Sequence, residues 1–195
     1  MPIDHENLPN PILIIGVFAL SLAVVRVLTT TIHEMGHALM GLVFLKGDFD
    51  VYVGSYGDPE KGQHFKIGRI RFHFIYAPFS IEKGVFRSAE QDTTHLRNFL
   101  VTLGGPLASL ISAMLYIGII IFYPVPEVVM IGLYILIGSS VYDFWYNIKP
   151  STTPIELHDR VIVYNDGYLL KYTWKQMFGK QQQNNSEETT DMVEK

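Results

Sequence analysis

The 195-residue chain contains no cysteine. That excludes disulfides, thiolate catalysis, iron–sulfur clusters and Cys-type zinc sites, and leaves His, Asp and Glu to ligate any metal. Charge is scarce as well: 17% of the residues are charged, against about 25% in an ordinary soluble domain. There is no basic excess, because 15 Lys and Arg face 19 Asp and Glu for a net charge of -4. A nucleic-acid partner held by a basic surface is therefore excluded. The first ten residues hold no Lys or Arg, so the positive n-region of a cleaved signal peptide is missing and none is expected. No internal repeat is visible. What is abundant is apolar surface, with 48% hydrophobic residues and a mean hydropathy of +0.20, in a length that suits one domain.

Three long apolar segments carry that hydropathy, at about 11–45, 98–123 and 128–147. Roughly 20 apolar residues cross a hydrocarbon core of about 30 Å, so the second and third segments each suit one crossing. The first, with 35 residues, reaches roughly 52 Å as a helix rising about 1.5 Å per residue. It must tilt, break or project beyond the membrane. Basic residues alternate with the segments: none before the first, eight in 46–97, none in 124–127 and six after Asn147. This pattern places the N-terminus outside, and the 46–97 loop and the C-terminus in the cytoplasm. The expected fold is an α-helical polytopic membrane protein with three transmembrane helices and a small β-rich loop on the cytoplasmic side.

That loop reads as strands. Across 65–76, Ile70, Phe72, Phe74 and Tyr76 fall on one face and Arg69, Arg71 and His73 on the other, a two-residue period rich in aromatic and β-branched residues. Gly54, Gly57, Pro59, Gly62 and Gly68 punctuate it. Residues 164–178 mix Leu, Tyr, Trp and Lys, as an interfacial segment does. Residues 180–195 are polar and low in complexity, and are expected to form a disordered tail. His5, His64, His73, His95 and His158 lie outside the apolar segments and are expected to be solvated.

The first apolar segment is interrupted by His33-Glu34-Met35-Gly36-His37, an H-E-x-x-H pattern. On a helix, residues four apart lie about 40° apart around the axis, so both imidazoles reach one ion while Glu34 stands beside them. Zinc suits imidazole, and a catalytic site keeps one position open for water. Glu34 is then placed to take the proton of that water and pass it to a leaving nitrogen. Two histidines and a glutamate at membrane depth are costly unless they face a cavity or ligate something. Arg26 lies about 20° short of two turns before His33, so Arg26, Thr30, His33 and His37 form one polar stripe, expected to line a cavity between helices. Two histidines need a further protein ligand, and Asp143, Glu156, Asp159 and Asp166 are the acids near the inner ends of the later segments; spacing alone does not choose among them. In the second segment Gly104, Ala108 and Ser112 recur every fourth residue, which allows close helix contact. Pro106 leaves the carbonyl of Thr102 free, as is tolerated beside a cavity.

With these residues in view, the chain resembles the site-2 protease family of intramembrane zinc metallopeptidases over most of residues 12–170. His33-Glu34-Met35-Gly36-His37-Ala38 followed by Gly41 is similar to the family's first motif. Gly104-Gly105-Pro106-Leu107-Ala108-Ser109 is similar to its G-P-x-x-N stretch, and Asn147-Ile148-Lys149-Pro150 followed by Asn165-Asp166-Gly167 to its N-x-x-P…D-G element. The resemblance implies an intramembrane metallopeptidase domain over 1–179 with one Zn2+ held by His33, His37 and Asp166. Asp159 is the second choice for the third ligand. It further implies that Glu34 activates water and that Asn147 orients the scissile peptide. The substrate would be a membrane-anchored protein, such as a regulator or a remnant signal peptide, cut in or near its transmembrane segment during regulated intramembrane proteolysis, with strand addition on the β-rich loop holding it extended. The implied location is the cell membrane of a prokaryote, with room for a regulatory membrane partner. Two departures stand out. Ser109 replaces the usual Asn, and the gap from Asn147 to Asp166 is long. They favour the rival reading, a catalytically silent homologue serving as a membrane scaffold or chaperone, which the intact Glu34 opposes.

Overall fold

The computed structural model describes residues 11–54, 57–60, 62–75, 84–90 and 93–193, with no side-chain description for 11, 13, 14 and 180–193. His5 and Tyr76 lie outside the described residues. The elements run α1 (Pro11–Phe44), β1 (Phe49–Val53), β2 (Gln63–Ile67), β3 (Ile70–Phe74), β4 (Val85–Ser88), α2 (His95–Phe122), α3 (Glu127–Ile148), β5 (Ile155–Glu156), β6 (Ile162–Val163) and α4 (Asp166–Val193). Among the described residues, α1, α2 and α3 are the three helices long and apolar enough to cross a membrane. The first apolar segment does not break: α1 is continuous over 34 residues. The β-branched residues along it stay helical because in lipid every backbone N–H must find its partner within the segment.

Small residues let the helices meet. A methyl group added at Gly36 of α1 would lie 2.3 Å from the carbonyl oxygen of Gly104 in α2 and 2.6 Å from Ala108 Cβ. The two backbones therefore cross with no room for a side chain at that point. Ser112 of α2 donates to Ser140 Oγ of α3 at 3.2 Å, and Thr29 of α1 meets Ser139 Oγ of α3 at 3.0 Å. Arg26 of α1 pairs with Asp143 of α3 at 2.5 Å, so the charge sits between helices rather than reaching out to a headgroup.

The 46–97 region forms a four-stranded sheet in the order β2-β3-β1-β4, with β1 parallel to β3 and the other pairs antiparallel. Phe49, Val51, Ile70 and Phe72 are buried in one core with Ala38 and Leu45 from the end of α1 and Val101 from α2. Arg69 fastens the sheet to that helix end, donating to the carbonyls of Leu45 at 2.8 Å and Leu42 at 2.7 Å. These are carbonyls that the terminus of α1 leaves unpaired.

The alternation assigns the faces of β3 correctly but misjudges one exposure. His73 is buried, not solvated: parallel pairing puts it beside Tyr52, whose ring stacks on it at 4.2 Å, and its Nε2 meets Asp50 Oδ1 at 2.7 Å. His64 and His95 are exposed, and His158 is half-exposed against Asp58. Past α3, β5 and β6 form a hairpin that the hydropathy pattern does not announce. The other difference lies in the polar stretch 180–195, where helix α4 continues to Val193 instead of ending in an irregular tail. The stretch carries several Gln, Glu and Lys, which are good helix formers.

Candidate metal centre

A four-residue spacing on α1 stacks the two imidazoles edge to face, with ring centroids 5.0 Å apart. Their Nε2 atoms are 3.3 Å from each other. Into this pair comes Asp166, the first residue of α4, with Oδ2 at 2.9 Å from His33 Nε2 and 3.3 Å from His37 Nε2. His33, His37 and Asp166 form a group that could hold a metal ion. A tetrahedral ion with bonds of about 2.0–2.1 Å has ligand atoms about 3.3 Å apart, so the three observed edges fit such an ion.

The partners of the opposite ring nitrogens decide what these three atoms need. His37 Nδ1 lies 2.9 Å from the carbonyl of Val101, nearer than the Gly105 N–H that approaches it at 3.3 Å. A carbonyl only accepts, so Nδ1 carries the hydrogen and donates it. Ser109 Oγ donates to Gly105 O at 3.4 Å, which leaves it to accept from His33 Nδ1 at 3.1 Å. When the rings are neutral, both Nε2 atoms then present bare lone pairs toward each other and toward a carboxylate oxygen. Three converging acceptors repel unless a cation or a proton lies between them. Burial by itself would raise the Asp166 carboxyl, but with a proton between the three atoms in place of an ion the resulting imidazolium holds it well below the ordinary carboxylate range. The group is a ligand set in charge as well as in shape.

Around it lies a cavity of about 430 Å³. Its wall includes the whole stripe from α1, Arg26, Thr30, His33 and His37, together with Glu34. The sequence places these residues together by helical spacing, and the structure lines one cavity with them. Glu34 is buried, and the backbone of Gly84, just before β4, packs so closely that a methyl group there would sit 2.4 Å from Glu34 Oε1. Asn147 also lines the cavity, with its Nδ2 donating to Asp143 O one turn earlier in α3 at 3.0 Å. The other acids are engaged elsewhere. Asp143 faces Arg26, Asp159 accepts two bonds from Arg87 at 2.8 and 2.9 Å, and Glu156 is exposed on β5. Of the four acids near the inner helix ends, only Asp166 reaches the imidazoles.

No protein-family model, curated protein or solved structure matches this chain. What the site can do therefore follows from its own geometry.

Several residues shape the centre in roles that sequence reasoning did not assign them. Gly105 is one: a methyl group on it would lie 2.3 Å from His37 Nε2 and 2.8 Å from His33 Nε2. Its signal was present in the pair Gly104-Gly105, where the first glycine serves the helix crossing and the second makes space for the imidazoles. Ser109 stands out in sequence as a departure from a motif; in the structure it is buried and orients His33. Gly167 follows Asp166 because a Cβ there would come within 2.5 Å of the carbonyl oxygen of Ile148. Nothing in the sequence marks the carbonyl of Val101, since backbone atoms leave no residue signature.

Proposed function

We propose that the protein is a zinc-dependent intramembrane endopeptidase of the site-2 protease type, cutting membrane-anchored substrates in or near their transmembrane segments. The observation that carries this reading is the convergence of His33, His37 and Asp166 in one cavity with a buried Glu34. A divalent ion bound by these three side chains would supply Lewis acidity, acidifying a water and polarising a peptide carbonyl. Two neutral imidazoles and one carboxylate suit zinc and leave one position open.

The chain's own residues do the rest. Glu34, one residue from His33 on the same helix, accepts a proton from the attacking water and delivers it to the departing amide nitrogen. Peptide and water thus become a carboxylate and an ammonium group, both protons of the water passing to the nitrogen in turn through the one side chain. With the Nδ1 hydrogens of His33 and His37 directed to Ser109 and Val101 and both Nε2 lone pairs given to an ion, neither ring would have a site left to take the proton in place of Glu34. Asn147 lines the cavity and is the residue offered to orient the scissile peptide. A substrate segment must unwind to be cut, because a helix hides its carbonyls in hydrogen bonds. The setting we propose is regulated intramembrane proteolysis in a prokaryotic cell membrane, with the sheet and the C-terminus in the cytoplasm.

The test is Glu34→Gln. Purified into proteoliposomes with a single-span substrate, this variant is expected to retain one zinc per chain while cleavage falls by about 10²–10⁴-fold, the usual contribution of a positioned base. A variant that still cleaves at the parent rate removes Glu34 from the mechanism. A zinc-loaded parent chain that cuts none of a panel of single-span substrates favours a silent scaffold instead.

A further inference from the structure

Two of the three ligands ride on one helix, where a four-residue spacing sets their geometry. The third arrives from far along the chain, at the end of the connection that follows α3, and something must place it. Asn165, immediately before Asp166, is nearly buried at 9% exposure. Its Oδ1 accepts from Ser151 N at 3.0 Å and from Tyr168 N at 3.2 Å. Its Nδ2 donates to Lys149 O at 2.7 Å and to Tyr146 O at 3.2 Å. All four hydrogen-bonding positions of the carboxamide are used. The orientation of the amide is forced, because exchanging O and N would set donors against two N–H groups and an acceptor against two carbonyls.

These four partners belong to three pieces of structure. Tyr146 and Lys149 supply carbonyls at the C-terminal end of α3, where a helix has no further N–H to offer them. Ser151 opens the connection. Tyr168 is the third residue of α4, so Asn165 is also the N-cap of that helix. One side chain therefore ties the last turn of α3 to the first turn of α4, and Asp166 is the first residue after the knot. Gly167 allows the two ends to approach as closely as this requires, packing on Ile148 O and Lys149. Leucine or alanine at 165 would make none of these bonds, and serine would reach only the cap.

We propose that Asn165 is a positioning residue for the metal centre, holding Asp166 Oδ2 against the two imidazoles by clamping the start of α4 to the end of α3; this rests on reading His33, His37 and Asp166 as a metal site. Partners that orient a ligand cost about 10–100-fold in metal affinity when removed.

The test uses the full chain in detergent micelles with Co2+ as the probe, following its visible absorption and its competition with a chelator. The parent chain is expected to bind one Co2+ with the intense absorption of a four-coordinate site. Asn165→Ala is expected to bind it 10–100-fold more weakly, with an altered spectrum and unchanged helix content by circular dichroism. Asn165→Ser keeps the cap on Tyr168 N and loses the clamp, so it should recover thermal stability toward the parent without recovering affinity. Leu133→Ala, at a buried site of α3 outside the cavity wall, should lower stability and leave the spectrum alone. Affinity within about twofold of the parent in both Asn165 variants overturns the proposal, as does an equal loss of affinity in Leu133→Ala. A parent chain that binds no Co2+ or Zn2+ at all overturns the metal reading itself, and is told apart because it does not depend on residue 165.

Discussion

Gly105 lies beneath the two imidazoles, and its missing side chain is what lets α2 pass under them. A methyl group in that place would meet His37 Nε2 at 2.3 Å and His33 Nε2 at 2.8 Å. The rings cannot simply swing aside, because their Nδ1 atoms are held by Val101 O and Ser109 Oγ. Gly105→Ala is therefore expected to weaken binding of a divalent metal at this group, with affinity falling by at least about 100-fold, the upper end of what disturbing a ligand's supports costs. Metal content by mass spectrometry checks it, with circular dichroism showing the helices intact. Parent metal content would mean the rings have freedom that these bonds deny them. The contrast with His33 and His37 shows what the sequence made legible. Those two share a helix, and helical spacing is a one-dimensional property that can be read from a string. Gly105 and Ser109 belong to the centre only because α2 crosses α1 at Gly36 and Gly104, which is a fact of packing. Asp166 falls between these cases. Chain spacing left four acids open, the resemblance favoured Asp166 because Gly167 follows it, and only it lies against the imidazoles.

The elements show the same division. Hydropathy placed the three long apolar helices α1, α2 and α3, because about 20 apolar residues in a row have few other uses. Alternation placed β3 and its faces. The parallel pairing of β1 with β3, which buries His73 under Tyr52, depends on a partner 21 residues away and left no periodic trace. The β5–β6 hairpin escaped for a further reason: it is two residues wide on each side and held largely by its turn. In that turn Arg160 takes a left-handed conformation with φ of 63° and donates its N–H to Leu157 O at 2.9 Å. Asp159 ties the turn to the sheet through the paired bonds from Arg87 of β4. The cavity lies between these pieces, with Val85 and Phe86 of β4 and Ile155 and Val163 of the hairpin all in its wall. The bonds from Arg87 hold the Asp159 carboxyl below its ordinary range. A carboxyl lowered in the folded state contributes above its unfolded value, and the contribution is lost as pH falls through the folded value. The hairpin is thus expected to stay closed at neutral pH and to loosen in acid below the usual carboxylate range. Asp159→Asn should loosen it at pH 7. Hydrogen exchange at the Leu157 amide, bonded to Val161 O at 2.9 Å, reads this directly. Equal protection in parent and variant at pH 7 would show that the ion pair does not hold the turn.

Over the whole molecule, the contacts between sheet and hairpin constrain how the chain can sit in a bilayer. Arg87 touches Asp159 and Asp58 touches His158, so the 46–97 region and the segment after α3 share one side whatever the lipid does. Three helices in sequence then require the link between α2 and α3 to lie on the other side. This arrangement comes from contacts, and the distribution of Lys and Arg leads to the same expectation independently, with the sheet side as the proposed cytoplasmic one. The lack of cysteine makes the arrangement directly measurable, since a single introduced thiol is the only one present. Lys66, Glu127 and Glu156 are exposed and lie on β2, at the start of α3 and on β5. In intact cells a membrane-impermeant maleimide should modify Glu127→Cys and leave Lys66→Cys and Glu156→Cys untouched until the membrane is opened. Reversal of all three would keep the fold and invert its orientation. Labelling that separates Lys66→Cys from Glu156→Cys would break the fold itself, because the sheet and the hairpin could not then meet across the cavity that holds the two histidines and Asp166.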